Sequence, residues 1–373
     1  MAHSSGRRLA ATALVVTSLI GVAAVALTAL NVGAWVLLDD AARAPAPGPP
    51  ARAAEVQAAL RDVYAHLSEP EMELLLDETW NRPYTFTSWM GFRERPRRGS
   101  FVNIAPEGYR RALDGVDLGH TGTRVFALGG STTFGYGVAD DETIPARLEV
   151  HLRERFPERD VRVFNFGRGH YFSAQELALL TRLMAEGQHA DLVVFLDGYN
   201  EGQEVPFFSA EMARHFEERN QQAAKEPSWL SGMPLVRLLD RQAAEDAGQQ
   251  PAGPKPYMAL SPAELNVRWA ANRDLIRALG GGLGFEVRIF LQPIAGYRNA
   301  HLEHRLQGRW YVDAFEQIRA KVEALVPLAD ERDTFDATHL LEDYTAQPFV
   351  DSLHYTPEVC DLIARYMAER LEL

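Results

Sequence analysis

One cysteine, Cys360, is all that this chain of 373 residues carries. It cannot form an intrachain disulfide or supply the thiolates of a cysteine zinc site. Its place in an apolar helical pattern makes it a packing residue. Net positive charge is missing too. With 38 Lys and Arg against 51 Asp and Glu, the formal charge is -13 and the pI near 5.4. A nucleic-acid backbone or an anionic membrane surface would repel such a chain as a whole, so no nucleic-acid partner is expected. No internal repeat occurs, and no Gly-x-Gly-x-x-Gly dinucleotide fingerprint follows a strand.

Charge is absent altogether between Leu9 and Leu38. A hydrocarbon core needs about 20 apolar residues, so this run can span a membrane with tilt to spare. Arg7 and Arg8 precede it and Asp39 and Asp40 follow it. That asymmetry puts the N-terminus in the cytoplasm and everything after residue 40 outside. A cleaved signal peptide is the competing reading, but its apolar core runs to about 7 to 15 residues. The expected layout is a cytoplasmic tail over 1–8, a single transmembrane anchor over 9–38 and a stiff Pro/Ala-rich linker over 39–55. The membrane is then a partner through the N-terminal helix.

Residues 56–120 read as a wrapping segment, with a helix from Val56 to Leu67 and then an aromatic, Arg-rich, Pro-broken stretch of irregular chain. From Arg124 onward, short continuous apolar runs alternate with helical periodicity, which argues for strand-helix-strand units around a parallel sheet. The candidate strands are "RVFAL", "VRVFNF", "DLVVFL" and "EVRIFL", with a weaker fifth near "DATHLL". Leu148, Leu152 and Phe156 share one helical face, and Leu177, Leu180 and Met184 another. "SAQE" (173–176) and "SPAE" (261–264) have the capping-box form and mark helix starts. Thr356 and Pro357 open a last helix that turns Val359, Ile363, Tyr366 and Met367 inward. Residues 202–260 break the alternation and read as an insertion in a domain spanning 121–373.

The stretch "FALGGSTTFGYG" (126–137) ends its strand in a loop of small and hydroxyl residues. Gly130 and Gly135 have phosphate-loop spacing, but Tyr136 stands where the lysine must neutralise phosphate. Thr133 occupies the second-glycine position of a Gly-x-Ser-x-Gly elbow. What remains is Ser131 at the carboxyl end of the first strand, where open parallel sheets put their ligand sites. Such a serine needs a base, and the base an orienting acid. "VDSLHYTP" offers Asp351 and His354, and "FDATHLL" offers a rival pair, Asp336 and His339. The apolar residues after His339 suggest burial, whereas His354 precedes a capped helix. "FLDGYNE" places Gly198 and Asn200 after the third strand as oxyanion donors. His301 and His304 flank Glu303 with no third ligand evident, so no metal site is expected.

The ordered blocks "GGST", "NFGRGHYFSAQE", "GYN" and Asp351-Ser-Leu-His354 resemble the SGNH family, the GDSL-like esterases and lipases, over roughly residues 120–370. The resemblance implies a flavodoxin-like three-layer α/β/α sandwich, with Ser131 as nucleophile, His354 as base and Asp351 orienting it. The implied oxyanion hole uses Asn200 and the backbone N–H groups of Ser131 and of Gly169 or His170. The chain departs from the family at Gly130, where Asp is usual, and at His170, on which the second-block glycine falls. No cofactor is implied. The expected activity is ester hydrolysis outside the cytoplasmic membrane, on short acyl esters of a glycan or other envelope molecule. Thr132, Thr133, Gly135, Tyr136, Tyr199 and Glu201 suit such a substrate, with tyrosine faces stacking on sugar rings. An O-acyltransferase, a lipase or lysophospholipase, and an idle anchored binding module are the alternatives.

Overall fold

The computed structural model describes residues 61–87, 89–113, 118–201, 260–299, 301, 319–351 and 353–373. The tail, anchor and linker expected over 1–55 lie outside these residues, as does the insertion apart from Leu260. Among the described residues no helix is long and apolar enough to cross a membrane.

The segment before the sheet is more regular than its composition suggests. The helix expected to reach Leu67 stops at Val63, and a new one, α1 (Glu69–Trp80), follows. Its start is set by Ser68, whose backbone N–H donates to Glu71 at 2.9 Å in a capping box, with Pro70 in the first turn. Next come an antiparallel hairpin, β1 (Tyr84–Thr87) and β2 (Gly91–Glu94), and a short ladder, β3 (Arg97–Arg98) with β4 (Asn103–Ile104).

The main sheet begins with β5 (Thr123–Gly129), which runs into a one-turn helix, α2 (Ser131–Phe134). Then follow α3 (Ile144–Arg155), β6 (Val161–Asn165), α4 (Ser173–Ala185), β7 (Leu192–Asp197), α5 (Pro262–Leu283), β8 (Glu286–Leu291), β9 (Thr334–Asp336) and α6 (Pro357–Glu369). The five strands are all parallel, in the order β6-β5-β7-β8-β9. That is the flavodoxin-like order, whose switch point lies between β5 and β7. The fifth strand is "TFD" rather than "DATHLL"; Thr338–Leu341 forms a short 3-10 turn instead.

Alternate residues of each strand face opposite layers. Val125 and Ala127 pack with Leu148 and Leu152 of α3 and with Val359, Ile363 and Met367 of α6. Phe126 and Leu128 pack with Leu179, Leu180 and Leu183 of α4 and with Leu265, Trp269 and Ile276 of α5. Each fully buried side chain of this kind contributes about 1.5–3 kcal/mol, so the two cores fix the sheet between helical layers. Cys360 is buried in the first core, as expected of a packing residue. On α4 the inward face differs from the predicted one: Leu177 and Met184 are half-buried, while Glu176 is fully inside. The "SAQE" box does not form, because Ser173 and Glu176 are drawn inward to other partners. The "SPAE" box does form, with Ser261 N–H donating to Glu264 at 2.9 Å.

Candidate active site

Ser131 opens α2 directly after β5, and Asn200 follows β7, so the two stand at the carboxyl ends of the strands that flank the switch point. The turn behind Ser131 is closed by Phe134 N–H to Gly130 O (3.0 Å) and Gly135 N–H to Ser131 O (2.9 Å), with Gly135 at φ 93. A helix of one turn leaves most of its carbonyls without internal partners. The buried guanidinium of Arg110 satisfies them, donating to Phe134 O (2.9 Å), Gly135 O (2.6 Å) and Val138 O (2.7 Å) while Nε binds Asp140 at 2.8 Å.

His354 arrives from a loop just before α6. Val350 N–H donates to His354 O at 2.8 Å, and Asp351 Oδ1 accepts the N–H groups of Leu353 (2.8 Å) and His354 (2.7 Å). The other carboxylate oxygen lies 2.6 Å from His354 Nδ1, and His354 Nε2 lies 2.8 Å from Ser131 Oγ. A carboxylate only accepts, so Nδ1 carries the hydrogen and Nε2 presents its lone pair to the serine hydroxyl. Burial would raise the Asp351 carboxyl, but the imidazole and the loop N–H groups hold it below the ordinary carboxylate range. Ser131 and His354 are 223 positions apart in the sequence, and the fold brings them with Asp351 into one relay.

The rival pair is engaged elsewhere. Asp336 instead caps the turn after β9, accepting from Thr338 N–H at 2.9 Å, and pairs with Arg298 at 3.0 Å. His339 is exposed, not buried as its neighbours suggested, and only edges Tyr366. His301 hydrogen-bonds the Tyr344 carbonyl, and His304 lies outside the described residues. Among the described residues no group of three or more His, Cys, Asp or Glu is placed to hold a metal.

Asn200 Nδ2 donates to Tyr171 O at 2.8 Å, which orients the amide beside Gly130. A Cβ on Gly130 would stand 2.5 Å from that nitrogen, so any larger residue there would have to displace the amide from its present place. In the second block, Gly169 N–H donates to Glu94 Oε1 at 3.2 Å. The expectation that Gly169 offers its N–H to an oxyanion is therefore corrected. His170, the next residue, is exposed and takes φ 65, the left-handed region that favours glycine. The backbone thus keeps at His170 the conformation for which a glycine is usual.

Under Asn200 lie three buried carboxyls, Glu176, Asp197 and Glu201. Glu201 accepts Ser173 N–H (2.6 Å) and Ser173 Oγ–H (2.9 Å), and Trp269 Nε1 donates to Asp197 at 3.1 Å. Burial first, and the neighbouring Asp197 second, push Glu176 well up and Glu201 up to about 8. Glu201 is thus a buried brace between the Asn200 loop and α4, not a substrate-facing residue. Tyr136 is corrected likewise: it is 7% exposed and stacked on His354, so its face is not open to a sugar. Thr132 donates to Gln292 at 2.7 Å inside the fold.

Trp80, Arg82, Glu94 and Arg110 were not singled out in the sequence. All four precede the sheet, in the stretch whose Pro and Arg content reads as irregular chain. The one available signal was "SEPE" (68–71), a capping-box start of the same form as "SPAE".

No protein-family model matches the chain, and no curated protein matches it. Solved structures of similar fold include a carbohydrate acetylesterase from Sinorhizobium meliloti, at 13% identity and TM-score 0.38 over 66% of this chain and 97% of that one. An inhibitor-bound aryl esterase from M. smegmatis matches at 13% identity and TM-score 0.39, over 66% and 97%. A catalytic mutant of an acetylxylan esterase from Geobacillus stearothermophilus matches at 14% identity and TM-score 0.36, over 67% and 94%. Likeness at this level carries no argument about chemistry.

Proposed function

We propose that the chain is a serine ester hydrolase of the SGNH type. The observation that carries this is the Asp351–His354–Ser131 relay, at 2.6 and 2.8 Å, set at the sheet's switch point. Ser131 Oγ attacks the acyl carbon as His354 Nε2 takes its proton, and the alkoxide leaves with that proton returned. Water, deprotonated by the same Nε2, then attacks the acyl-serine, and its proton passes back to Ser131 Oγ. Asp351 keeps Nδ1 protonated and stabilises the imidazolium between these transfers. The Asn200 amide, with the backbone N–H groups of Ser131 and His170, holds the charge on the carbonyl oxygen.

A short acyl group is the proposed substrate feature. The void beside Gly130 and Asn200 holds only about 10 Å³ and is lined in part by the buried Glu176, Asp197 and Glu201, so it offers no groove for a long acyl chain. A hydroxyl-rich envelope glycan as the carrier, and an extracytoplasmic site tethered by residues 9–38, follow from the sequence reading. The test is a chain-length series of p-nitrophenyl esters with the purified full-length chain, alongside labelling by a fluorophosphonate. kcat/KM should fall from two carbons to eight with Ser131 labelled; a rise toward eight carbons converts the reading to a lipase or lysophospholipase. Labelling without hydrolysis, but with acyl transfer to an added glycan, converts it to an acyltransferase.

A further inference from the structure

His354 is held by more than its acid. Its imidazole stacks on the Tyr136 ring with centroids 4.8 Å apart and 16° between planes. Trp80, at the end of α1, sets its edge against both rings, 5.9 Å from His354 and 5.8 Å from Tyr136. The Arg82 guanidinium lies 4.4 Å from the centre of the Tyr136 ring and 4.0 Å from that of Phe134, a cation–π arrangement inside the fold. Phe134 and Tyr136 also meet edge to face at 5.7 Å. An imidazole bonded only through Nδ1 and Nε2 can still rock about the line joining those bonds. A parallel ring on its face removes that freedom.

The other end of Tyr136 reaches the second oxyanion loop. Its hydroxyl pairs with the Tyr84 hydroxyl at 2.8 Å, and a Cβ on Gly169 would collide with it. The same loop is braced by Glu94, which takes Gly169 N–H at 3.2 Å and meets Arg168 at 3.3 Å. Tyr136 therefore touches the base with its ring and the Gly169–His170 turn with its hydroxyl.

We propose that Tyr136 is a positioning residue: its ring, clamped by Trp80 and Arg82, fixes the plane of His354. This deepens the hydrolase reading and rests on it. Loss of the ring should misalign the base in every proton transfer, lowering kcat more than it raises KM. A role confined to packing would lower the melting temperature and leave the folded enzyme's kcat alone.

The experiment compares Tyr136→Phe, which keeps the ring, with Tyr136→Leu, which does not, using p-nitrophenyl acetate and the low-field proton NMR signal of His354 Nδ1–H. Tyr136→Phe should keep the signal and hold kcat within about threefold, whereas Tyr136→Leu should broaden or lose it and cut kcat about 10- to 100-fold with KM within about twofold, as for a misplaced catalytic group. A folded Leu variant with wild-type signal and kcat overturns the proposal, as does a change in KM alone. Should that variant not fold, Trp80→Leu replaces it, with a smaller kcat loss expected and an unchanged kcat overturning the proposal. The two readings separate cleanly. A wild type that neither hydrolyses esters nor reacts with a fluorophosphonate sinks the hydrolase assignment, while the NMR comparison still decides whether Tyr136 orders the imidazole.

Discussion

Gly130 and Asn200 approach so closely that a methyl group does not fit between them: the Asn200 amide nitrogen lies 2.5 Å from the position a Gly130 Cβ would take. Either the amide moves or the turn does. Both outcomes change where the amide stands relative to the Ser131 turn.

Gly130→Ala should therefore imitate Asn200→Ala, each lowering kcat by roughly 10²–10³ with KM little changed, the loss expected for one oxyanion donor. The double variant should be no worse than the more severe single one, because both remove the same donor. Steady-state kinetics on the four proteins decide this; additive losses would separate Gly130 from the amide.

Ser131→Ala removes one oxygen at a strand end and one hydrogen bond to His354 Nε2. Turnover and fluorophosphonate labelling should vanish while the thermal unfolding midpoint stays within a few degrees of wild type, since no packing group is lost. Turnover within tenfold of wild type would remove Ser131 from the chemistry.

His354→Ala should abolish hydrolysis in a folded protein. His339→Ala should leave both activity and stability near wild type, because that imidazole is exposed and makes only an edge contact with Tyr366. Exposed substitutions of this kind fall within about 0.5 kcal/mol. Circular dichroism with an ester assay on the pair settles it, and a dead His339 variant would move the base.

Stability should fall as pH rises from the acid range to about 8. Glu201 has its folded value raised to about 8 by burial and by Asp197, against about 4.3 for an unfolded glutamate. A group whose folded value is raised stabilises fully below the unfolded value and loses that contribution as pH climbs through the folded one. Melting temperature should thus decline between about pH 4 and pH 8, and Glu201→Gln, which cannot ionise, should flatten that slope. An identical slope in the variant would show that Glu201 does not titrate in the fold.

The sheet was legible because strands buried on both faces read as unbroken apolar runs, and four of the five appear that way. The fifth escaped: "TFD" is three residues long with polar ends, too short to show a pattern. The Ser131, Asp351 and His354 assignments came from residue chemistry in a fixed order, and the structure joins them at hydrogen-bond distance. The misreadings share one cause. Periodicity assigns carboxyls to the surface, so Glu176 and Glu201 could not be seen as buried braces. An aromatic loop residue such as Tyr136 carries no period to say which way it points. Likewise, nothing in the spacing of Trp80, Arg82 and Glu94 announces that the first edges His354, the second lies over Tyr136 and the third takes the Gly169 N–H, since those meetings depend on tertiary contact alone.

The edge of Trp80 against His354 bears on where this protein can be divided. The seam drawn from sequence at residue 120, between a wrapping segment and a hydrolase domain, is not a seam in the fold: Trp80, Glu94 and Arg110 stand on one side of it and hold His354, Gly169 and the Ser131 turn on the other. A fragment begun at residue 121 would keep every residue that does the chemistry and lose the ones that hold it in register. In a graft, a fusion or a comparison with shorter chains, the portable unit is therefore the sheet together with the helix and hairpin that precede it.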